Sequence, residues 1–153
     1  MNEDGWRFLP DALHIGIADI DAQHEGLFRQ LVALKGLCLG HNLLPANEAA
    51  GLLVALEEHY ATEAQWAAEF SVDFTAHGRS HEKMLGMVSK ALNEAVEGRA
   101  DVFSTLRYIE YWFERHIAHE DSKLGEALSW QPGHRPAAPV RLPVDQLRAA
   151  GLA

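Results

Sequence analysis

The sequence predicts an all-α protein: an up-down-up-down antiparallel four-helix bundle with an N-terminal arm and a C-terminal Pro-rich tail. Three observations carry this. Apolar residues recur three, four or seven positions apart in four separate runs, the spacing of one helix face. Gly and Pro punctuation falls between those runs. No segment alternates with a period of two as a strand would, and short links between amphipathic helices favour antiparallel neighbours.

Residues 1–18 read as an irregular arm with Trp6, Phe8, Pro10 and Gly16. Asp19 or Asp21 can cap a first helix running to about Gly40, with Ile20, Leu27, Leu31, Leu34 and Cys38 on one stripe. Gly40, His41, Asn42 and Pro45 break it. The second helix runs from about Asn47 to Phe70 on Leu52, Leu56, Trp66 and Phe70. After a link around Ser71 to Phe74, the third runs from about Thr75 to Gly98, with Met84, Val88, Ala91 and Ala95 inward. Asp101 caps the fourth, which carries Val102, Leu106, Ile109, Phe113, Ile117, Leu124 and Leu128 and ends before Gln131. The tail holds four of the chain's six prolines. The chain thus divides into a bundle domain with its arm, residues 1–130, and a tail, residues 131–153.

Composition narrows the function. The 153 residues suit one domain, and 48% apolar content is enough for one core. Thirteen basic against 22 acidic side chains give a net charge of -9, which argues against nucleic acid or an anionic membrane as partner. The single cysteine, Cys38, excludes an intrachain disulfide and multi-cysteine metal sites. The acidic start lacks an apolar signal region, and no run of apolar residues is long enough to span a membrane. A cytoplasmic location is the expectation. There is no P-loop, no nucleophile-elbow motif and no dinucleotide fingerprint.

The nine histidines carry the chemistry. His24 lies three before Leu27; His59 lies three after Leu56, with Glu63 one turn on. His77 and His81 are one turn apart on the third helix, and His116 is three after Phe113. Asp121, five after His116, falls about 140° around an α-helix, on the shoulder of the same inward surface. Five imidazoles and two carboxylates therefore face one apolar core. A lone core histidine is usually just hydrogen-bonded, and HxxxH or HxxxE alone is a weak motif. Seven inward polar groups on four helices are another matter, because each costs several kcal/mol without a partner. Metal accounts for them economically. Imidazole and carboxylate suit iron, one ion cannot take seven ligands, and two can if the carboxylates bridge. Five histidines exceed what a single zinc takes. His14, His41, His119 and His134 read as surface or loop residues, with His119 flanking His116 and Asp121.

These residues carry a resemblance. Gly16-Ile17 followed by Ile20-Asp21-Ala22-Gln23-His24 resembles the opening motif of the hemerythrin family. His59-Tyr60-Ala61-Thr62-Glu63 is similar to its H-[FY]-x-x-E segment, and His77-Gly78-Arg79-Ser80-His81 to its H-x-x-x-H. Trp112 through Ile117, with Asp121, resembles its final motif. The likeness covers residues 6 to about 128. Ala64 and Ala67 stand where the family often has Glu and Met, and its Tyr-Pro pair between helices two and three is absent.

The resemblance implies a non-haem di-iron centre bridged by Glu63, Asp121 and a solvent-derived oxo or hydroxo group. His77, His81 and His116 would complete one iron; His24 and His59 would hold the other and leave a position open for dioxygen. Leu27, Tyr60, Trp112 and Phe113 are the expected walls of a dry oxygen pocket. Asp21 and Gln23 are candidate hydrogen-bond partners behind His24. Reversible dioxygen binding for storage, delivery or buffering is the leading function. The alternatives are an oxygen or redox sensor signalling to a protein partner through the tail, and a di-iron enzyme acting on peroxide or nitric oxide. The inward set offers no extra acid, base or nucleophile for the last.

Overall fold

The structure, a computed structural model, describes residues 8–129. Trp6 of the arm and the tail 131–153 lie outside them. All regular structure among the described residues is helical. One 3-10 turn, Asp11–Leu13, lies in the arm, and then come α1 (Ala18–Leu37), α2 (Ala46–Glu69), α3 (Thr75–Val96) and α4 (Val102–His116). A π-helical stretch, Ile117–Asp121, leads straight into α5 (Ser122–Ser129), so α4 and α5 form one fourth rod. Each rod packs on its neighbour in sequence, and α4 closes back on α1.

The expected stripes form the core. Leu27, Leu31 and Leu34 of α1 meet Leu52 and Leu56 of α2, Met84 and Val88 of α3, and Leu106, Ile109 and Phe113 of α4, all buried. A second cluster gathers Ile17, Ile20, Trp66, Ala67, Leu124 and Leu128. The two clusters leave a layer between them, filled by the polar residues described below.

Helix ends follow local chemistry, with one correction. Asp101 caps α4 as expected, its carboxylate accepting from Ser104 N at 2.8 Å. Neither Asp19 nor Asp21 caps α1. Ile17 holds that position without a side-chain cap. Asp21 instead accepts from the backbone N–H groups of Ile15 and Gly16 at 2.8 and 3.2 Å. The reason is its place one turn inside the helix, where side chains lean toward the N-terminus and meet the chain just before it. Gly16, at φ 89°, supplies the left-handed turn that aims those amides. Glu25, a turn further on, accepts from Phe8 N and Leu9 N at 2.9 Å. Two carboxylates thus lay the arm along α1. That helix also stops earlier than expected, at Leu37, and Gly40 turns the chain at φ 88°.

Candidate metal centre

All seven expected residues come together in the layer between the two apolar clusters. Glu63 and Asp121 are wholly buried at 0% exposure, and His24, His59, His81 and His116 are buried with them. His77 is partly exposed, its side chain at 11%. His24 Nε2 lies 3.0 Å from Asp121 Oδ2 and 3.6 Å from Glu63 Oε2. His59 Nε2 is 2.9 Å from Glu63 Oε2. On the other side, His77 Nε2 is 3.0 Å from Asp121 Oδ1 and 3.2 Å from Glu63 Oε1. His81 Nε2 lies 3.1 Å from Glu63 Oε1, and His116 Nε2 lies 3.0 Å from Asp121 Oδ1.

These groups fall into two sets whose ligand atoms lie within 4.8 Å of one another: Glu63, His77, His81, His116 and Asp121, and His24, His59, Glu63 and Asp121. Both carboxylates belong to both sets, each giving one oxygen to either side.

The geometry suits cations. Ring nitrogens face each other across each set, His24 to His59 at 3.0 Å and His81 to His116 at 3.1 Å. Such a pair shares at most one proton when neutral. Among the described residues the carboxylate oxygens of Glu63 and Asp121 meet the imidazole nitrogens, at 2.9 to 3.6 Å, and no other donor. Buried charge left so exposed to itself is costly. Two metal ions, one in each set, would answer these inward nitrogen and oxygen donors, and the mixed donor set fits iron.

A π-helical stretch makes the set possible. In an unbroken α-helix, Asp121 falls about 140° from His116. The stretch Ile117–Asp121 lets hydrogen bonds run to the fifth residue and brings Asp121 back beneath His116. The sequence spacing of five is its only trace.

Outer partners hold the rings. His59 Nδ1 donates to Gln23 Oε1 at 2.7 Å, and Gln23 Nε2 donates to Thr62 Oγ1 at 3.1 Å. Gln23 therefore serves His59, not His24, while Asp21 holds the arm. His24 Nδ1 is buried without a hydrogen-bond partner among the described residues. Glu120, unremarked in the sequence, takes His116 Nδ1 at 2.6 Å and also accepts from Ser80. Tyr60 stacks on His81, centroids 3.6 Å apart and planes 9° apart; Phe74 stacks on His77 at 4.7 Å. His119 is exposed.

Charge is shared within the cluster. Burial opposes protonation of His24 and His77, but Asp121 and Glu63 outweigh it and raise both from 6.5 to about 9. His116 also rises, burial being overcome by Asp121. His81 falls below its ordinary value, because burial wins there. Burial alone would raise Glu63 and Asp121, yet the surrounding imidazoles hold both carboxyls below their usual range. Burial, with Glu63 beside it, pushes the Tyr60 phenol far up, so it stays protonated.

An apolar cavity with room for about one water-sized molecule, about 10 Å³, adjoins the His24 and His59 side. Leu27, Tyr60 and Phe113 line it, joined by Phe28, Leu56 and Ile117. Trp112 does not. It is one position before Phe113 of the inward stripe of α4 and faces an outer groove with Ser80, Met84, Met87 and Arg115.

No helix among the described residues is long and apolar enough to cross a membrane. No curated protein and no solved structure matched the chain. A family model did: the hemerythrin HHE cation binding domain matches residues 15–128, a span that begins in the arm and contains all seven converging residues. The chain belongs to the hemerythrin family.

Proposed function

We propose that this chain binds dioxygen reversibly at a non-haem di-iron centre. The observation that supports it most is the pair of histidine sets sharing Glu63 and Asp121. In this reading His77, His81 and His116 hold one iron and His24 and His59 the other. Glu63 and Asp121 would serve both irons, and a solvent-derived oxo or hydroxo group would complete the pair. The iron pair would supply the electrons that make dioxygen binding reversible. Both histidines of the smaller set line the small apolar cavity, against one, His116, of the larger set. Leu27, Phe28, Leu56 and Phe113 exclude water there, which favours release of dioxygen over irreversible oxidation. The partners that fix the rings, Gln23 behind His59 and Glu120 behind His116, support carriage over turnover.

The bundle domain is taken as residues 1–130 with 131–153 as an appended tail. Supporting the up-down-up-down order, the first apolar cluster, that of Leu27 and Leu106, lies after the histidines on α1 and α3 and mainly before them on α2 and α4. The cytoplasm is the proposed location.

The test is iron content and colour. The purified protein is expected to hold two irons per chain. Reduced without air and then given oxygen, it should develop a visible band that fades when oxygen is removed. His77→Ala and Glu63→Ala should each lose iron and stability, because ligand binding is linked to folding. Full iron content in both variants would sink the ligand assignment. Direct passage to the oxidised form in air would favour redox sensing or catalysis.

A further inference from the structure

We infer that the groove between α3 and α4 binds a small aromatic carboxylate that carries a hydrogen-bond donor at the far end of its ring. The groove has a volume of about 510 Å³, within the range of small-molecule sites. Met84 and Met87 of α3 and Trp112 of α4 form its walls. Tyr108 and Tyr111 pack edge-on against Trp112, centroids 6.3 and 5.7 Å away, and fix the plane of the indole. A rigid aromatic face beside adaptable thioethers suits a flat apolar body.

Charge selects the rest of the ligand. Lys83 and Arg115 line the groove, and His119 stands beside them, on a chain of net charge -9. Lys83 has no ion-pair partner among the described residues. Arg115 has no carboxylate partner there; its guanidinium lies 5.9 Å from the Trp112 ring centre and 5.6 Å from that of Tyr111. These cations call for an anion. The groove also contains one acid, Glu120. Ser80 and His116 both contact its Oε2, which leaves Oε1 as an acceptor without a protein partner among the described residues. A ligand with its carboxylate on Lys83 and Arg115, its ring on Trp112, and a hydroxyl donating to Glu120 Oε1 uses every feature. A dianion would be repelled by Glu120, and a cation by Lys83 and Arg115. The inference does not depend on which metal the centre holds.

Titration calorimetry on the full-length, metal-loaded protein tests it, with 3-(4-hydroxyphenyl)propionate as probe. One saturable site with Kd of about 1 mM or tighter is expected for a ligand of this size. Lys83→Ala combined with Arg115→Ala should weaken it about 10-fold or more. These two side chains are exposed, so the fold should survive. Trp112→Leu should weaken it similarly. The analogue lacking the hydroxyl, 3-phenylpropionate, should bind about 10-fold less tightly, and tyramine, which lacks the carboxylate, should not bind. No saturable heat, unchanged affinity in the double variant, or tyramine binding as well as the acid would each overturn the assignment. Equal affinity for 3-phenylpropionate would overturn the role given to Glu120. Iron content and the oxygen-dependent spectrum are read separately, so failure here leaves the metal reading standing.

Discussion

Glu120 Oε2 lies 2.6 Å from His116 Nδ1, on the side of the ring away from the metal layer. That contact fixes the Nδ1 proton and turns the Nε2 lone pair inward. Ser80 donates to the same oxygen and steadies the carboxylate. Gln23 does the equivalent for His59 at 2.7 Å, with a neutral amide in place of an acid. One imidazole on each side of the centre is therefore oriented from outside, but only His116 gains added basicity from a charge.

Removing that carboxylate should loosen the metal. Partners of ligating histidines are worth about 10–100-fold in metal affinity. Glu120→Ala is expected to lose iron to a competing chelator within that range. Glu120→Gln keeps an acceptor for Nδ1 but not the charge, so it should hold iron better than Glu120→Ala while shifting the potential of the centre upward. A chelator titration and a potentiometric titration check both. Identical behaviour of the two variants and the parent protein would show that the contact does nothing for the metal.

The metal-free protein should lose stability as pH rises. His24 and His77 have pKa values near 9, above the ordinary 6.5. A group whose pKa is higher when folded favours folding in its protonated form. That contribution is full below about pH 6.5 and disappears as pH rises through about 9. Metal binding runs the other way, since it needs neutral imidazole. Melting temperatures at pH 6, 7.5 and 9 should fall for iron-free protein and hold for iron-loaded protein. A flat profile for the iron-free form would mean that the imidazoles are not paired with Glu63 and Asp121 as placed.

The helices were legible in the sequence because their stripes repeat with helical spacing, and the seven converging residues were legible because each fills a gap in a stripe. What escaped was whatever breaks that period. The π-helical stretch after His116 leaves no mark beyond a spacing of five. Asp21 looked like a cap because caps are read from position, whereas its role depends on where the arm lies. Glu120 is invisible to a stripe argument, since it sits on the outer shoulder; its spacing of four from His116 is the one signal for it, and Ser80, 40 positions away, completes the contact. Trp112 was placed inward by its neighbour Phe113, but adjacent helix positions point about 100° apart.

Gly125 ties the arm to α5. A Cβ built there would stand 2.8 Å from the Ile15 carbonyl oxygen, and Asp21 pins that stretch of backbone from the other side. Gly→Ala inside an exposed helix usually stabilises by about 0.5–1 kcal/mol. At this position the sign should reverse, with Gly125→Ala costing about 1–3 kcal/mol for the forced shift. Gly51→Ala and Gly86→Ala, where nothing lies within 4 Å, should stabilise as usual. Thermal melts of the three variants decide it. A stabilised Gly125→Ala would mean that the arm moves freely off α5.

Leu27, together with His59, separates the small apolar cavity from solvent. It lines that cavity, and it also lines a surface groove formed with Gln23, Gly26, Ala55, Glu58 and His59. Leu27→Ala should join the two and let water reach the side of the centre proposed to take dioxygen. The oxygen-dependent band is then expected to decay faster in air by about 10-fold, equivalent to about 1.4 kcal/mol of barrier. Destabilisation alone is a rival cause, because a buried Leu→Ala costs about 2–5 kcal/mol anywhere in the core. Leu34→Ala separates the two: Leu34 is equally buried but belongs to neither cavity. Leu27→Met, which keeps the volume, should behave like the parent protein. Fast decay in Leu27→Ala but not in Leu34→Ala places the water barrier at Leu27. Equal decay in both would assign it to global stability and remove Leu27 from the oxygen pocket.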